Sequence, residues 1–395
     1  MKILLASDTY PPDINGAARF TERLARGLAF RGHEVHEVAP SWDGPAKIVE
    51  QDGVVVHRIR AHRFPSHESF RICSPWDAKV SVAQIMRSVR PDVVHVQAHF
   101  VIGRYAAHAA TATGIPLVAT NHFMPENLVD QLPIRLPRWA LGAASALAWH
   151  DVARVYSRAQ VLTAPTPRAV DLLNHSAHLK GARAISCGVD SAYFRDAARS
   201  SPVNEVPTIL FVGRLEQEKR VGELISAFAH LPSVPARLEI VGDGALRQRW
   251  TEQANQQGVA ARVRFRGFIS EDELLDAYST CDIFCMPGVA ELQSLATLEA
   301  MAAGKPIVVA DSMALPHLVE PGRNGWLYTP GQVDELTARL SQLLLDPGLR
   351  CHMGNRSREM ALKHRLDVTI DAFELIYQEA ITARGPMRSA HRISA

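Results

Sequence analysis

Short runs rich in Val and Ile recur along this chain, each followed by a longer amphipathic stretch. In the first half they read KILLASD, EVHEVAP, VVVHRIR, DVVHVQ, PLVATNH, QVLTAPT and ARAISCG; in the second, TILFVG, RLEIVGDG, RVRFRGF, DIFCMPG and PIVVAD. Between them lie helical patterns such as ARFTERLARGLAFRG, where apolar positions return at helical spacing and Gly32 supplies a stop. Buried strands alternating with helices argue for parallel sheets covered on both faces. The pattern restarts near Pro207, after the polar stretch DAARSSPVNEVP. A chain of 395 residues is also too long for one comfortable core. The expectation is therefore an α/β protein of two doubly wound, Rossmann-like domains: residues 1–198, a linker at 199–207, and 208–365. A C-terminal helix over 366–383 then crosses back to the first domain, and a disordered basic tail fills 384–395.

Composition narrows the class. With 47% hydrophobic and 21% charged residues the chain reads as an ordinary globular protein. MKILLASDTYPP holds too few apolar residues before Asp8 for a leader, and no run reaches the length of a membrane span. A cytoplasmic protein is expected. Cys281 and Cys285 form a lone C-x3-C without a second pair, so buried reduced thiols are the reading rather than zinc. Residues 1–200 carry 23 Lys and Arg against 17 Asp and Glu, and the remainder 20 against 24. A basic first half would suit phosphates or anionic lipid head groups. The segment 135–159, with Trp139 and Trp149, leaves two readings open: core residues, or peripheral contact with an anionic membrane. Nucleic acid is not an expected partner.

In open α/β sheets ligands bind beyond the carboxyl ends of the strands, and with two such domains the expected site is the cleft between them. The strand-to-helix turns are thus where chemistry belongs. In ASDTYPPDINGAARF the dinucleotide fingerprint G-x-G-x-x-G is absent, and Gly16 opens a helix whose N-terminus favours an anion. In VGRLEQEKR, Arg214 and Lys219 could clamp a diphosphate, one by a forked contact and one as a point charge; surface cations beside Glu216 and Glu218 would look the same. IVGDGALRQRW has Gly242 and Gly244 but Arg247 where a third glycine would fall, so it reads as a tight turn.

The stretch AELQSLATLEAMAAG holds two glutamates eight positions apart. Glu291 falls in a loop before a helix, and Glu299 lies inside it. The main-chain N–H groups from Gln293 through Ser294 to Leu295 are helix-start donors for phosphate or sugar oxygens. A carboxylate in so apolar a segment as that around Glu299 needs a partner, and vicinal hydroxyls are a chemically sensible one. A capping Glu291 with a salt-bridged Glu299 is the structural alternative.

Together the loop PP…NG, VGRL…K, VGDG and a closing E-x7-E, in that order, resemble the retaining glycosyltransferases of the GT-B fold, family 4. The resemblance spans nearly the whole chain, and CGVD at 187–190 stands where the family usually has NGVD. It implies that Glu291 contacts the transferred sugar and Glu299 the ribose. By the same resemblance Arg214 and Lys219 neutralise the leaving diphosphate, and Gly16 lets the first loop approach it. His122, in VATNHFMPEN, falls where the family often has an active-site histidine near the donor sugar; Glu126 is a further candidate, for the acceptor. The chain departs from the family's E-G-F-G with Glu291-Leu292-Gln293-Ser294, so a donor preference does not carry over. No D-x-D occurs, and no metal or other cofactor is expected. The implied reaction transfers a mannose- or glucose-type hexose from a nucleoside-diphosphate sugar, with retention, to a lipid or saccharide acceptor. A sugar-nucleotide epimerase of the same fold is the alternative.

Overall fold

The computed structural model describes residues 1–64, 67–125, 138–200, 206–232 and 235–383. Glu126, residues 201–205 of the polar stretch before Pro207 and the tail 384–395 lie outside them. The chain forms two compact units, the first of Met1–Phe123, Ala146–Ile185 and Thr369 onward, the second of Met124–Ser145 and Ser186–Val368.

The first unit is built from β1 (Lys2–Ala6), β2 (Glu34–Pro40), β3 (Lys47–Gln51), β4 (Val54–Ile59), β5 (Ala61–Phe64), β6 (His67–Cys73), β7 (Val93–Val96), β8 (Leu117–Thr120), β9 (Val161–Ala164) and β10 (Arg183–Ala184). Its helices are α1 (Gly16–Phe30), α2 (Pro75–Val89), α3 (Val101–Thr113), α4 (Arg138–Tyr156, from Ala146 on) and α5 (Pro167–Ser176). Eight strands make one sheet in the order β10-β9-β8-β7-β1-β2-β4-β3, parallel except for β3 against β4. β1, β7, β8 and β9 are buried almost throughout, because helices cover both faces. Helix starts follow local chemistry: Asn15 caps α1, and Ser74 and Thr166 cap α2 and α5 just ahead of a proline.

The second unit contains β11 (Thr208–Val212), β12 (Arg237–Val241), β13 (Val263–Gly267), β14 (Ile283–Met286), β15 (Ile307–Ala310) and β16 (Gly325–Tyr328). They form an all-parallel sheet ordered β13-β12-β11-β14-β15-β16. Its helices are α6 (Ser191–Ser200), α7 (Val221–Ala229), α8 (Arg247–Gln256), α9 (Glu271–Thr280), α10 (Leu295–Ala302), α11 (Val333–Leu345) and α12 (Pro347–Ala361). In each sheet the first strand lies centrally and the winding reverses beside it: β1 sits between β2 and β7, and β11 between β12 and β14. The turns after β11 and β14 therefore flank the crevice of the second sheet, and those after β1 and β7 the crevice of the first.

The division between units differs from the expected one. It falls at Ser186, ahead of the anticipated linker, because Phe194 on α6 packs edge-on against Tyr278 of α9, ring centroids 5.6 Å apart. The last helix, α13 (Leu366–Ala383), belongs to the first unit from Thr369 on. Phe373 and Tyr377 are fully buried there, with the Phe373 ring 5.8 Å from Phe20 and 5.1 Å from His95. A Cβ at Gly27 would meet Ile370 Cδ1 at 2.2 Å, so α13 lies close on α1 there and any side chain would displace the tip of Ile370. β3, the β5–β6 hairpin and β16 had no strong periodic signal; β3, for one, is exposed along its whole length.

Phe373→Ala should destabilise the protein by roughly 3–5 kcal/mol, the usual cost of emptying a buried aromatic site. Urea unfolding followed by fluorescence checks this, and a change below about 1 kcal/mol would show that α13 is not an integral part of the first unit's core.

Candidate active site

At the second unit's crevice the turn after β11 is braced by the turn after β12. After β11 the chain reads Gly213-Arg214-Leu215-Glu216, and after β12 it reads Gly242-Asp243-Gly244. These turns pack backbone on backbone. A Cβ at Gly242, whose φ is +121°, would fall 2.0 Å from the Gly213 carbonyl oxygen, and one at Gly244 would fall 2.7 Å from that of Leu215. Leu215 N–H donates to the Asp243 carbonyl at 2.9 Å, and Gly213 N–H to that of Val241 at 3.0 Å. The glycines of VGDG thus brace the turn that presents Arg214.

The acids beside the two cations are not surface residues. Glu218 is 6% exposed and accepts from Arg214 at 3.1 Å, while Glu216, also buried, accepts from the Ala245 N–H at 3.3 Å. Lys219 is ion-paired with Glu291, and both side chains are largely buried. The Val289 N–H donates to the Glu218 carbonyl at 2.9 Å, so the turns after β11 and β14 are joined by main chain as well as by charge. Gly288 lies against that pair: a Cβ there would be 3.1 Å from Glu291 Oε1 and 3.4 Å from Lys219 Cδ.

Beyond Glu291 the chain enters α10. Ser294 caps it, its hydroxyl oxygen accepting from the Thr297 N–H at 3.3 Å. Leu295 opens the helix, and Glu299, 1% exposed, lies inside it. The Gln293 side chain turns the other way: its Oε1 accepts from the Cys187 N–H at 2.7 Å, and its amide donates to Ser186 at 3.0 Å. Arg214, Lys219, Glu291 and the start of α10 are thus brought together, while the Gln293 side chain secures the neighbouring CGVD turn. Gly288 went unnoticed in the sequence, and Glu218 entered there only as a neighbour of the two cations, though EQEKR carried a signal: acids interleaved with cations in a strand-end turn.

In the first unit Gly16 is the exposed first residue of α1, beside the Asn15 cap. Asp8, after β1, accepts from the Ile102 and Gly103 N–H groups at 2.8 and 3.2 Å, and burial pushes its carboxyl up to about 6. His122 follows β8, half-buried, its ring centroid 4.8 Å from that of Phe20. Its Nε2 lies 3.0 Å from Gln97 Oε1, and burial lowers its pKa to about 3, so the imidazole is neutral. The thiols of Cys281 and Cys285 are both buried, and burial pushes Cys281 up to about 12. Trp149 is buried, whereas the Trp139 side chain lies outside the described ones.

Two doubly wound α/β units, one carrying a braced cation pair and a buried carboxylate at its switch point, have the architecture of a GT-B glycosyltransferase. The comparisons identify the family. Residues 14–193 match the model of Glycosyltransferase Family 4, and residues 194–360 that of Glycosyl transferases group 1. The chain is 30% identical to a GDP-mannose-dependent alpha-mannosyltransferase of Mycolicibacterium smegmatis, covering 99% of this chain and 100% of that one. It is 25% identical to an alpha-monoglucosyldiacylglycerol synthase of Acholeplasma laidlawii, covering 96% and 98%. In fold it is similar to sucrose-phosphate synthase from Thermosynechococcus elongatus, with a TM-score of 0.81 at 19% identity over 97% of this chain and 100% of that one. Anabaena HepE in complex with UDP and glucose gives 0.72 at 19% identity, over 96% and 100%. This chain belongs to the group 1, family 4 glycosyltransferases.

Gly288→Ala should disturb the Lys219–Glu291 pair without disrupting a core. Transfer should fall by about ten-fold, the equivalent of one lost interaction of about 1.4 kcal/mol, with a Tm change of only a few degrees. Unchanged turnover by mass spectrometry would show that the pair tolerates displacement.

Proposed function

We propose that this glycosyltransferase transfers a mannose- or glucose-type hexose from a nucleoside-diphosphate sugar to a lipid or saccharide acceptor, with retention at the anomeric carbon and without a bound metal. The observation that carries the reading is the buried Lys219–Glu291 pair at the second unit's switch point, backed by Arg214 on Glu218. Burying ions is costly, and a pair is weak evidence of stabilisation, so function is the better reason for keeping it there. The full-length relatives named for GDP-mannose-dependent mannosyl transfer and for glucosyldiacylglycerol synthesis support the hexose and a lipid acceptor.

In this reading Arg214, Lys219 and the α10 N-terminus hold the diphosphate. Glu291 accepts from hydroxyls of the hexose and Glu299 from those of the ribose, with Gly16 allowing close approach of the first loop. As the bond from the anomeric carbon to the phosphate oxygen breaks, negative charge grows on the leaving diphosphate. A fixed cation about 4 Å away contributes about 4 kcal/mol at an effective dielectric near 20, and being held beforehand it requires no reorganisation. The acceptor oxygen bonds to the anomeric carbon on the same face, and its proton passes to the departing phosphate oxygen. A cytoplasmic location with peripheral contact at an anionic membrane completes the proposal. Flotation with anionic vesicles checks that part, and absence of co-flotation removes it.

The deciding assay offers GDP-mannose, UDP-glucose, UDP-galactose and ADP-glucose with chelator present, reading binding by thermal shift and nucleoside-diphosphate release with and without a lipid acceptor. One donor should respond, and activity abolished by chelator would overturn metal independence. Lys219→Ala and Arg214→Ala should each weaken binding of the free nucleoside diphosphate by about ten- to a hundred-fold, as expected for a lost charge-assisted hydrogen bond. Equal affinity by calorimetry would remove the clamp. Glu291→Gln should lower turnover by at least about a hundred-fold, and near-normal turnover would sink the site.

A further inference from the structure

Behind His122 lies a chain of buried polar contacts that runs from Thr163 to Tyr377. The Thr163 hydroxyl lies 2.6 Å from that of Thr120, where either oxygen can donate, and 3.3 Å from the Ala119 carbonyl. Thr120 Oγ1 in turn lies 2.6 Å from His95 Nε2. His95 is fully buried, and burial lowers its pKa to about 3, so the ring is neutral and carries a single proton. Its Nδ1 lies 2.8 Å from the Tyr377 hydroxyl. The Gln97 amide nitrogen lies against the same ring, 3.2 Å from Nδ1 and 3.3 Å from Nε2. With its nitrogen turned to His95, Gln97 offers its oxygen to His122, and a carbonyl oxygen can only accept.

We propose that Gln97 is a positioning residue that holds His122 as the Nε2–H tautomer, so that Nδ1 is presented as an acceptor to a hydroxyl of the sugar substrate, with the whole chain registered by Tyr377 of α13. Among the described residues no hydrogen-bond partner stands at His122 Nδ1. A bare lone pair there selects a hydroxyl and repels a phosphate oxygen, which has no proton to give. The inference rests on the reading that His122 faces the sugar, and it adds what that imidazole can recognise. The titratable groups around His122 are His95 on β7 and, through it, Tyr377 on α13; Phe20 on α1 is uncharged.

The test is 15N NMR of histidine-labelled protein, assigned by loss of the signal in His122→Ala, together with pH profiles of kcat. The wild type should show a neutral His122 protonated on Nε2 from pH 6 to 8. Gln97→Leu should lose the single tautomer and lower kcat about ten-fold with less change in KM, the mark of a lost transition-state contact. In Gln97→Glu a carboxylate faces Nε2 and raises the imidazole pKa. Below that new pKa Nδ1 is protonated, so kcat should gain a limb that falls as pH falls and recovers at high pH. A wild-type His122 protonated on Nδ1, or charged at pH 7, overturns the proposal whatever the activity. A correct tautomer with Gln97→Leu fully active removes Gln97 as a positioning residue. If His122→Ala is fully active as well, the error lies in placing His122 at the sugar.

Discussion

The second unit's site depends on two main-chain turns that touch. The Gly213 carbonyl occupies the place where any side chain at position 242 would have to go, and the Leu215 carbonyl does the same at position 244. That close approach allows the turn after β11 to stand over the end of the sheet with three main-chain hydrogen bonds to the neighbouring turn: Gly213 to Val241, Leu215 to Asp243 and Leu246 back to Leu215. Arg214 is carried on a rigid strand end, which suits a group that must not reorganise as charge develops.

From that base the charges are arranged in opposed pairs. Arg214 rests on Glu218 and Lys219 on Glu291, and the Glu218 main chain also holds the loop that carries Glu291. The loop's other side is held by Ser312, which donates to the Val289 carbonyl at 2.9 Å, and by Ala314, which donates to that of Glu291 at 3.1 Å. Each charged group therefore has a partner, Glu218 in the same turn as Arg214 and Glu291 in the loop after β14. Breaking one bond loosens several, because buried charges left alone are costly.

The first unit follows another logic. Its strand-end groups are neutral or held near neutrality by burial, as with His95 and His122, and they are fixed by hydrogen bonds rather than by ion pairs. Tyr377, near the end of the described chain, reaches into this network, so a residue far along the sequence helps to organise the end of β7. The helix that carries it is tied at its other edge by Arg31 and His33, both bonded to Glu374.

The sequence by itself determined the two α/β units, most of the strands and the strand-to-helix turns in which chemistry was expected. Those features are local: runs of Val and Ile that only a covered parallel sheet can bury, caps such as Asn15 and Ser294, and glycines required by close approach. Arg214, Lys219 and Glu291 were legible because a charge at a strand end in an open α/β sheet stands at the crevice by construction. Tertiary structure decided what no local pattern encodes. It assigned α6 to the second unit through Phe194 and Tyr278, and it turned Glu216 and Glu218 from apparent surface acids into buried braces. It paired Gln97 with His122, 25 positions apart, and His95 with Tyr377, 282 positions apart. Such pairings depend on which strands lie side by side, and strand order is set by the packing of the whole sheet, not by the residues that eventually meet.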